Sequence, residues 1–234
     1  MREYLLECSE IGYRVGDDVI LNRIDLTLSP GQGIILFSES NKAGTSLLQI
    51  CSTLIRPTTG KLFVQGKEVD YEDQKGLSNF KRRLAYVDSQ STLIQNMTVF
   101  ENIALSTVYH ENKSGKGLDI LLDPVIEMFN LRHTLSLRPA ELDSATRSRA
   151  LYAIEVLKEP AVALFDRPDN DFSRNDRHYL LTILAAIKKG KKCGYIICTK
   201  SESLIEQCGD TIILLKDGLI KARTETHSFL SSLR

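Results

Sequence analysis

Residues 36–50, LFSESNKAGTSLLQI, connect an apolar strand pattern to a helical pattern through a short polar turn. A phosphate-binding loop with the pattern G-x-x-x-x-G-K-[ST] has its place in such a strand–turn–helix unit, because glycine amides and a lysine hold the phosphates. Alignment on Thr45 places Ser38 at the first glycine of that pattern and Gly44 at its lysine. Thr45 keeps a hydroxyl of the type that binds Mg²⁺. The stretch therefore predicts a phosphate loop without its main anion-binding groups.

The elements around this turn follow from apolar periodicity. Strands are predicted at residues 4–15, 19–29, 34–38, 61–69 (interrupted by a turn), 84–88, 161–166, 193–199 and 210–218, and helices at 43–55, 120–131, 144–158, 176–189, 201–208 and 226–233. On the helix of residues 144–158, Leu151, Ile154 and Leu157 are predicted to share the apolar face. Alternation of apolar strands with helices predicts a parallel sheet covered on both faces.

Composition limits the class of protein. The 234 residues suffice for one domain with a subdomain, and 30 basic side chains balance 30 acidic ones. A general electrostatic attraction to nucleic acid is therefore not expected. Five cysteines without a CxxC pair fit a reducing cytosol, and no stretch approaches the length of a signal peptide's apolar region or of a membrane span.

Several quoted stretches together resemble the nucleotide-binding domain of ABC transporters, from near Tyr4 to near Arg223. They are IDLTLSPGQGIILFSESNKAGTSLLQICSTLIRPTTGKLFVQGKEV, RRLAYVDSQSTLIQNMTVFENIAL, LRPAELDSATRSRALYAIEVLKEPAVALFDRP and YIICTKSESLIEQCGDTIILLKDGLI. The resemblance implies an α/β fold of the P-loop ATPase type, with a mixed or parallel core sheet, an antiparallel β subdomain and a helical subdomain at about residues 90–157. It implies a single domain over residues 1–234. The stretch STLIQNMTVFENIAL is also similar to ATPase subunits of Mce-type lipid transporters.

The resemblance assigns a nucleotide site in which most positions depart from the family. Tyr13 matches the aromatic residue that stacks on adenine, Asn41 replaces another glycine, and Lys42 is a displaced substitute for the lysine. Thr45 and Asp166 match the magnesium-binding residues. The remaining positions of this vestigial site are Ser38, Gly44, Ser46 and Gln90, the last of which matches the Q-loop glutamine after a shift of one residue. An ordinary capped helix, with Ser40 or Asn41 as its N-cap, is the alternative for the turn.

Two cations replace the family's catalytic side chains. Arg167 stands in place of the glutamate that polarises water, and an arginine cannot accept a proton. Lys200 stands in place of the switch histidine. We expect Arg167 and Lys200 to occupy the space of the absent phosphate and to pair with Asp166, Glu39 or a partner's carboxylate such as Asp143.

The signature segment, LSGGQ in the family, corresponds to Leu142 followed by Asp143, Ser144, Ala145 and Thr146. Asp143 would direct a carboxylate at a phosphate held by the opposite subunit. Asp143 or Ser144 is also a good helix N-cap, and the nearby DNDFS stretch ends in Ser173 where the family has an aspartate.

These departures predict a catalytically inactive ATP-binding subunit that has a structural or regulatory role in a membrane transport complex. No cofactor is firmly expected, and binding of ATP and Mg²⁺ would be weak. The expected partners are a transmembrane permease and a second cassette, either identical or an active paralogue, at the cytoplasmic face of the membrane. Two alternatives remain: a slow or partner-dependent ATPase that uses Lys42 and Gln90, and a free-standing regulatory module.

Overall fold

The structure is a computed structural model that describes residues 4–111, 116–172, 176–190, 192–208, 210–226 and 228–229. Most of the predicted helix at 226–233, part of the polar loop at 111–117, and Ser173 lie outside the described residues.

Two sheets and seven α-helices make up the described chain. The strands are β1 (Leu6–Val15), β2 (Asp18–Leu28), β3 (Gly33–Ser38), β4 (Thr59–Val64), β5 (Lys67–Glu68), β6 (Leu84–Val87), β7 (Val162–Asp166), β8 (Gly194–Cys198), β9 (Thr211–Lys216) and β10 (Leu219–Glu225). The helices are α1 (Asn41–Cys51), α2 (Gln74–Lys81), α3 (Val99–Glu111), α4 (Lys116–Met128), α5 (Ser144–Leu157), α6 (Arg177–Gly190) and α7 (Glu202–Cys208). Short 3₁₀ turns lie at Arg132–Thr134, Pro139–Glu141 and Pro168–Asn170.

The larger sheet has the order β10-β9-β3-β8-β7-β6, and its pairs are parallel except for the antiparallel pair of β10 and β9. The smaller sheet is antiparallel, with the order β2-β1-β4-β5. The predicted α/β fold, with a mixed core sheet and an antiparallel sheet beside it, is confirmed.

The core sheet is buried on both faces because its strands are continuously apolar. Ile34 and Leu36 of β3 pack with the antiparallel sheet and α1, whereas Ile35 between them packs with the helices of the opposite face. This alternation follows from the two-residue period of a strand. The sheet is thereby fixed from both sides, and its edges hold the loops that follow each strand.

Helix α1 begins earlier and ends earlier than the sequence pattern predicts. Ser40 caps its start, since the Ser40 side chain accepts a hydrogen bond from Ala43 N. At the other end Thr53 has a left-handed backbone with φ of 61°, which stops the helix before the predicted end at residue 55.

Helix α5 packs on the core with the predicted apolar face and, more deeply, with a neighbouring face of smaller residues. Its buried residues are Thr146, Ala150, Tyr152 and Ala153. Leu151, Ile154 and Leu157 are half-buried and pack against the core cluster, and the first two also line an open groove. The small alanines let the helix approach the sheet, and the larger aliphatic side chains cover the border of the core.

Candidate functional site

Three parallel strands bring the predicted site residues to one edge of the sheet. Strands β3, β8 and β7 are neighbours, and their carboxyl ends lie together. Ser38 ends β3, Asp166 ends β7 with Arg167 next, and Lys200 follows the end of β8. Ligands of open α/β sheets bind outside this edge, so the geometry marks it as the candidate site.

The turn between β3 and α1 uses its amides within the protein. Glu39 N donates to Leu215 O over 3.2 Å, and Gly44 N donates to Ser40 O over 3.2 Å. Ala43 N donates to Ser40 Oγ over 3.3 Å. A phosphate cradle needs amides that point outward into a concavity. These three amides are satisfied within the protein, as at a capped helix start.

Gly44 lies against a buried thiol. A Cβ at position 44 would lie 2.5 Å from Cys198 Sγ and 3.1 Å from Ser38 Cβ. Burial raises the pKa of Cys198 to about 12, so the thiol is neutral. In the present conformation, Cys198 fills the space into which any longer side chain at position 44 would extend.

Asp166 is the buried centre of the site, with 1% of its surface exposed. The Thr45 hydroxyl donates to Asp166 Oδ2 over 2.6 Å, and Arg167 Nε lies 3.3 Å from Asp166 Oδ1. Arg167 itself has a left-handed backbone with φ of 55°. The expected pair of Arg167 with Asp166 is present, and both carboxylate oxygens have donors from this chain.

Lys200 makes a different contact from the one expected. Its Nζ donates to the backbone carbonyl of Glu39 over 2.9 Å. The Glu39 carboxylate is paired instead with Lys216, at 3.0 Å. Lys200 therefore holds the turn after β3 through its backbone and leaves its own charge facing outward.

Other predicted site residues are not brought to Asp166. Tyr13 is half-buried and packs against the core cluster between the two sheets. Lys42 and Gln90 are exposed, and the Gln90 contact is a backbone one, from its N–H to Asp88 Oδ1 over 3.0 Å. Asn41 is exposed at the start of α1, whereas Ser46 is buried within that helix.

The signature-like segment forms the start of α5. Asp143 is the N-cap, and its carboxylate accepts a hydrogen bond from Thr146 N over 2.7 Å. This bond holds the pKa of Asp143 below its ordinary value. Ser144 is exposed, Ala145 is half-buried, and Thr146 is buried and accepts from Arg149. Of the two caps that the sequence allowed, the structure uses Asp143.

Sequence reasoning missed three residues at this edge. Cys198 precedes the Thr199–Lys200 pair at the end of β8, and Asp88 ends the β6 pattern, so their positions after buried strands were available signals. Asp88 is buried and accepts from the Tyr86 hydroxyl over 2.9 Å. Asp171 accepts from the Tyr152 hydroxyl over 3.2 Å, and burial raises the pKa of Asp171 to about 6. The Tyr152 contact joins residues 19 positions apart, which no local pattern reveals.

A second feature is an apolar groove of about 630 Å³ between β6, the loop after it, α3 and α5. Ile94 and Leu105 on its rim are 42% and 39% exposed. Glu155 lies in its wall, where it accepts from Tyr86 N over 3.1 Å and pairs with Lys158. Burial raises the pKa of Glu155 above its ordinary value. Exposed apolar side chains around a concave surface are typical of a protein contact site.

Comparison with known proteins identifies the family. The family model described as ABC transporter matches residues 21–170, which is more than half of the chain. This chain belongs to the ABC transporter family. A bacterial ABC transporter cassette solved as a dimer superimposes on this chain with a TM-score of 0.86. The two sequences are 19% identical, and the match covers 94% of this chain and 98% of the cassette.

The curated relatives are ATP-binding proteins of the same family. A putative ABC transporter ATP-binding protein of Mycoplasma pneumoniae is 29% identical over 89% of this chain and 44% of its own length. The lipoprotein-releasing system ATP-binding protein LolD of Acinetobacter baylyi is 26% identical over 86% of this chain and 88% of its own. The ABC chain thus spans less than half of the first of these relatives.

Within the described part of this ABC chain, no helix combines the length and the apolar character that a bilayer crossing requires. Likewise, the described residues contain no cluster of three or more His, Cys, Asp or Glu side chains arranged to hold a metal ion.

Proposed function

We propose that this chain is a structural or regulatory ABC cassette that neither holds nor hydrolyses ATP at a useful rate. It would assemble with a transmembrane permease and a second cassette at the cytoplasmic face of a membrane. The Mce-type lipid transporters remain the predicted subgroup.

The closed turn between β3 and α1 carries this proposal. The amides of Glu39, Ala43 and Gly44 are hydrogen-bonded within the protein. Position 44 supplies no lysine for the β- and γ-phosphates. A helix N-terminus alone contributes roughly 0.3–1 kcal/mol to anion binding, which is small beside a missing lysine and a closed cradle.

The magnesium position is compromised by charge. Thr45 and Asp166 are the oxygen donors that Mg²⁺ would use, and they lie 2.6 Å apart. The Arg167 guanidinium, however, lies 3.3 Å from the other Asp166 oxygen. A divalent ion would therefore sit beside a permanent positive charge. The residues do not fit a magnesium–nucleotide complex in this conformation.

With Arg167 in place of the family's glutamate, this position has no general base. A guanidinium remains protonated at any physiological pH and cannot accept a proton from water. Lys200, at the switch position, is directed to the Glu39 carbonyl. The chain thus lacks a group that could activate the attacking water at these two positions.

The groove between β6, α3 and α5 supports the transport role. Leu151 and Ile154 are half-buried at the border of the core and line this groove, together with the exposed Ile94 and Leu105. A cytoplasmic helix of a permease that carries an apolar face would cover this groove. The chain would then still bind a permease although it no longer hydrolyses ATP.

Phosphate release tests the first half of the proposal. The purified chain with 5 mM Mg-ATP should release phosphate no faster than its Asp166→Asn variant. Turnover that Asp166→Asn abolishes would instead support the slow ATPase that uses Lys42 and Gln90.

Recovery of a membrane partner tests the second half. The tagged chain and its Ile120→Asp control, altered at a residue that is 74% exposed on α4 and outside the groove, should recover the same polytopic membrane protein from solubilised membranes. Leu105→Asp and Ile94→Asp should lose it. Recovery that is equal for all four proteins, or no polytopic protein at all, would contradict a permease-docking groove and favour the free-standing module.

A further inference from the structure

Two cysteine thiols meet in the core between α1 and the antiparallel sheet. Cys8 lies in β1, and Cys51 is the last residue of α1. Their Sγ atoms are 3.7 Å apart, although the two residues are separated by 43 positions in the chain. Both are free cysteines, and a disulfide has an S–S distance of about 2 Å. A small movement of the two side chains would therefore bring the sulfurs to bonding distance.

This is the one contact between two thiols in the part of the chain that the structure describes. The half-buried Cys193 donates instead to Gly194 O over 3.3 Å, and Cys198 lies against Gly44. Cys208 is buried in α7. The sequence has five cysteines and no CxxC pair, so only the fold shows which two are partners. Oxidation of the pair would thus act at one interface, that of β1 with α1.

Tyr71 lies between the thiol pair and the surface. It is half-buried and packs against the core cluster that contains Cys8 and Cys51. Burial raises the pKa of Tyr71, and the proximity of the Cys51 and Cys8 sulfurs raises it further. Its hydroxyl is buried without a hydrogen-bond partner among the described residues. Because water would satisfy that hydroxyl, outward movement of Tyr71 is the favoured route by which the thiols become exposed.

The thiols react slowly while they stay covered. Cys8 is 2% exposed and Cys51 is 0% exposed. The hydrogen bond with Cys51, and next burial, raise the pKa of Cys8 well above its ordinary value. Since the thiolate is the reactive form of cysteine, a neutral Cys8 does not start an oxidation. A small oxidant is needed, and Cys51 is the sulfur that reacts with it first.

We propose that Cys8 and Cys51 form a reversible disulfide when hydrogen peroxide reaches them. The Cys51 sulfur attacks one peroxide oxygen and the O–O bond breaks, so Cys51 becomes a sulfenic acid and its thiol proton leaves with the other oxygen as water. The Cys8 sulfur then attacks the Cys51 sulfur. The S–S bond forms, and the sulfenic hydroxyl leaves with the Cys8 proton as a second water. The two thiols thus lose two electrons, and one peroxide is reduced to two waters.

The disulfide would join two layers of the fold. Strand β1 belongs to the antiparallel sheet, whereas α1 begins at the candidate site, where Thr45 donates to Asp166. With the bond formed, the end of α1 could not separate from β1. A dithiol reductant would release it by thiol–disulfide exchange and be oxidised in turn. This site acts on the packing of α1 and requires neither ATP nor a permease, so it is independent of the proposed function.

Peptide mapping without reductant tests the site. The purified natural chain is treated with hydrogen peroxide, its remaining thiols are alkylated, and its peptides are identified by mass spectrometry. The peptides that contain Cys8 and Cys51 should be joined, and dithiothreitol should separate them. Cys51→Ala should give no such joined peptides. Cys208→Ala is the matched control, because it removes a buried thiol outside the pair, and it should keep the bond.

Access to the pair is tested at Tyr71. Tyr71→Ala removes the cover and should form the disulfide on the order of tenfold faster, since a larger share of the molecules exposes the thiols. Tyr71→Phe keeps the ring and removes only the hydroxyl, so it should react no faster than the natural chain. In both variants the buried Cys198 and Cys208 should resist alkylation, which shows that the rest of the fold stays closed.

Urea unfolding gives a second readout of the bond. The midpoint for the oxidised natural chain should rise on the order of 1 M above that of the reduced chain, because the disulfide restricts the unfolded state. Peroxide-treated Cys51→Ala should show no such rise. A lower midpoint for the oxidised natural chain would contradict a bond that the fold accommodates.

Absence of the joined Cys8–Cys51 peptides in the natural chain, in a sample where the half-buried Cys193 is oxidised, would overturn the proposal. Equal amounts of disulfides between Cys8 and each of the other cysteines would overturn it as well, because that result indicates reaction of unfolded chains. A Tyr71→Ala variant that reacts no faster than Tyr71→Phe would contradict the role of Tyr71 as the cover.

Discussion

At the residue scale, the site depends on how a buried carboxylate is satisfied. The Asp166 side chain has no exposed surface, so its charge needs donors from the chain. Thr45 and Arg167 provide them. The sequence predicted the pair with Arg167, because the two residues are adjacent and oppositely charged. The resemblance placed Thr45 and Asp166 at one magnesium site, but it did not predict that Thr45 would donate directly to Asp166 across 121 positions, since that contact depends on how α1 packs beside β7.

Removal of the Arg167 charge should destabilise the fold. Arg167→Gln leaves Asp166 buried without its cation, and we expect a loss of about 2 kcal/mol in the free energy of unfolding. The matched control is Arg56→Gln, which breaks an exposed pair with Glu72 and should cost under about 1 kcal/mol. Urea unfolding at pH 7 measures both. Equal losses for the two variants would show that Arg167 does not stabilise Asp166.

Restoring the family's lysine should also be unfavourable. Gly44→Lys forces a Cβ toward Cys198 Sγ, and overpacking of this kind costs about 1–3 kcal/mol. Gly190→Lys is the control, because a Cβ at Gly190 meets nothing within 4 Å. In a Cys198→Ala background the cost of Gly44→Lys should fall. If that cost is the same with and without Cys198, the thiol is not what excludes a side chain from position 44.

At the element scale, the sequence predicted most strands and helices, since their apolar periodicity is local. The limits of α1 were less accurate, because Ser40 as cap and the left-handed Thr53 decide them. The apolar face of α5 was predicted only in part. Leu151 and Ile154 pack against the core cluster as well as lining the groove, but the most deeply buried residues include Ala150 and Ala153. Hydrophobic periodicity alone does not show which side chains of a helix are buried most deeply.

The contact between α5 and the segment after β7 should depend on pH. Burial raises the pKa of Asp171 from 3.8 to about 6 in the folded state. The folded state therefore binds a proton more tightly than the unfolded state, and Asp171 makes the protein less stable as pH rises from about 4 to 6. Asp171→Asn mimics the protonated form. It should stabilise the protein more at pH 7.5 than at pH 4.5, relative to the natural sequence.

Chemical unfolding of both proteins at the two pH values checks this dependence. Asp123→Asn is a suitable control, because Asp123 is half exposed and pairs with Arg132 at the surface. A difference between Asp171→Asn and the natural protein that is the same at both pH values would contradict the raised pKa.

At the scale of the whole molecule, the fold was predictable because several stretches in the right order resemble one family, and that family is confirmed over residues 21–170. The state of the site was less predictable. Single substitutions such as Arg167 and Lys200 predict lost chemistry, but the hydrogen bond from Glu39 N to Leu215 O and the crowding of Gly44 by the thiol of Cys198 involve two other strands. Local sequence patterns thus determine the strands and helices, whereas contacts between distant parts of the chain determine the arrangement of side chains in the site.

Titration calorimetry with Mg-ATP tests the central claim most directly. We expect no saturable heat of binding for the natural chain at nucleotide concentrations up to millimolar. The amides of Glu39, Ala43 and Gly44 are hydrogen-bonded within the protein, and Arg167 is paired with Asp166. Saturable binding with a micromolar dissociation constant, lost in Asp166→Asn, would contradict the claim and make this chain a nucleotide-holding cassette.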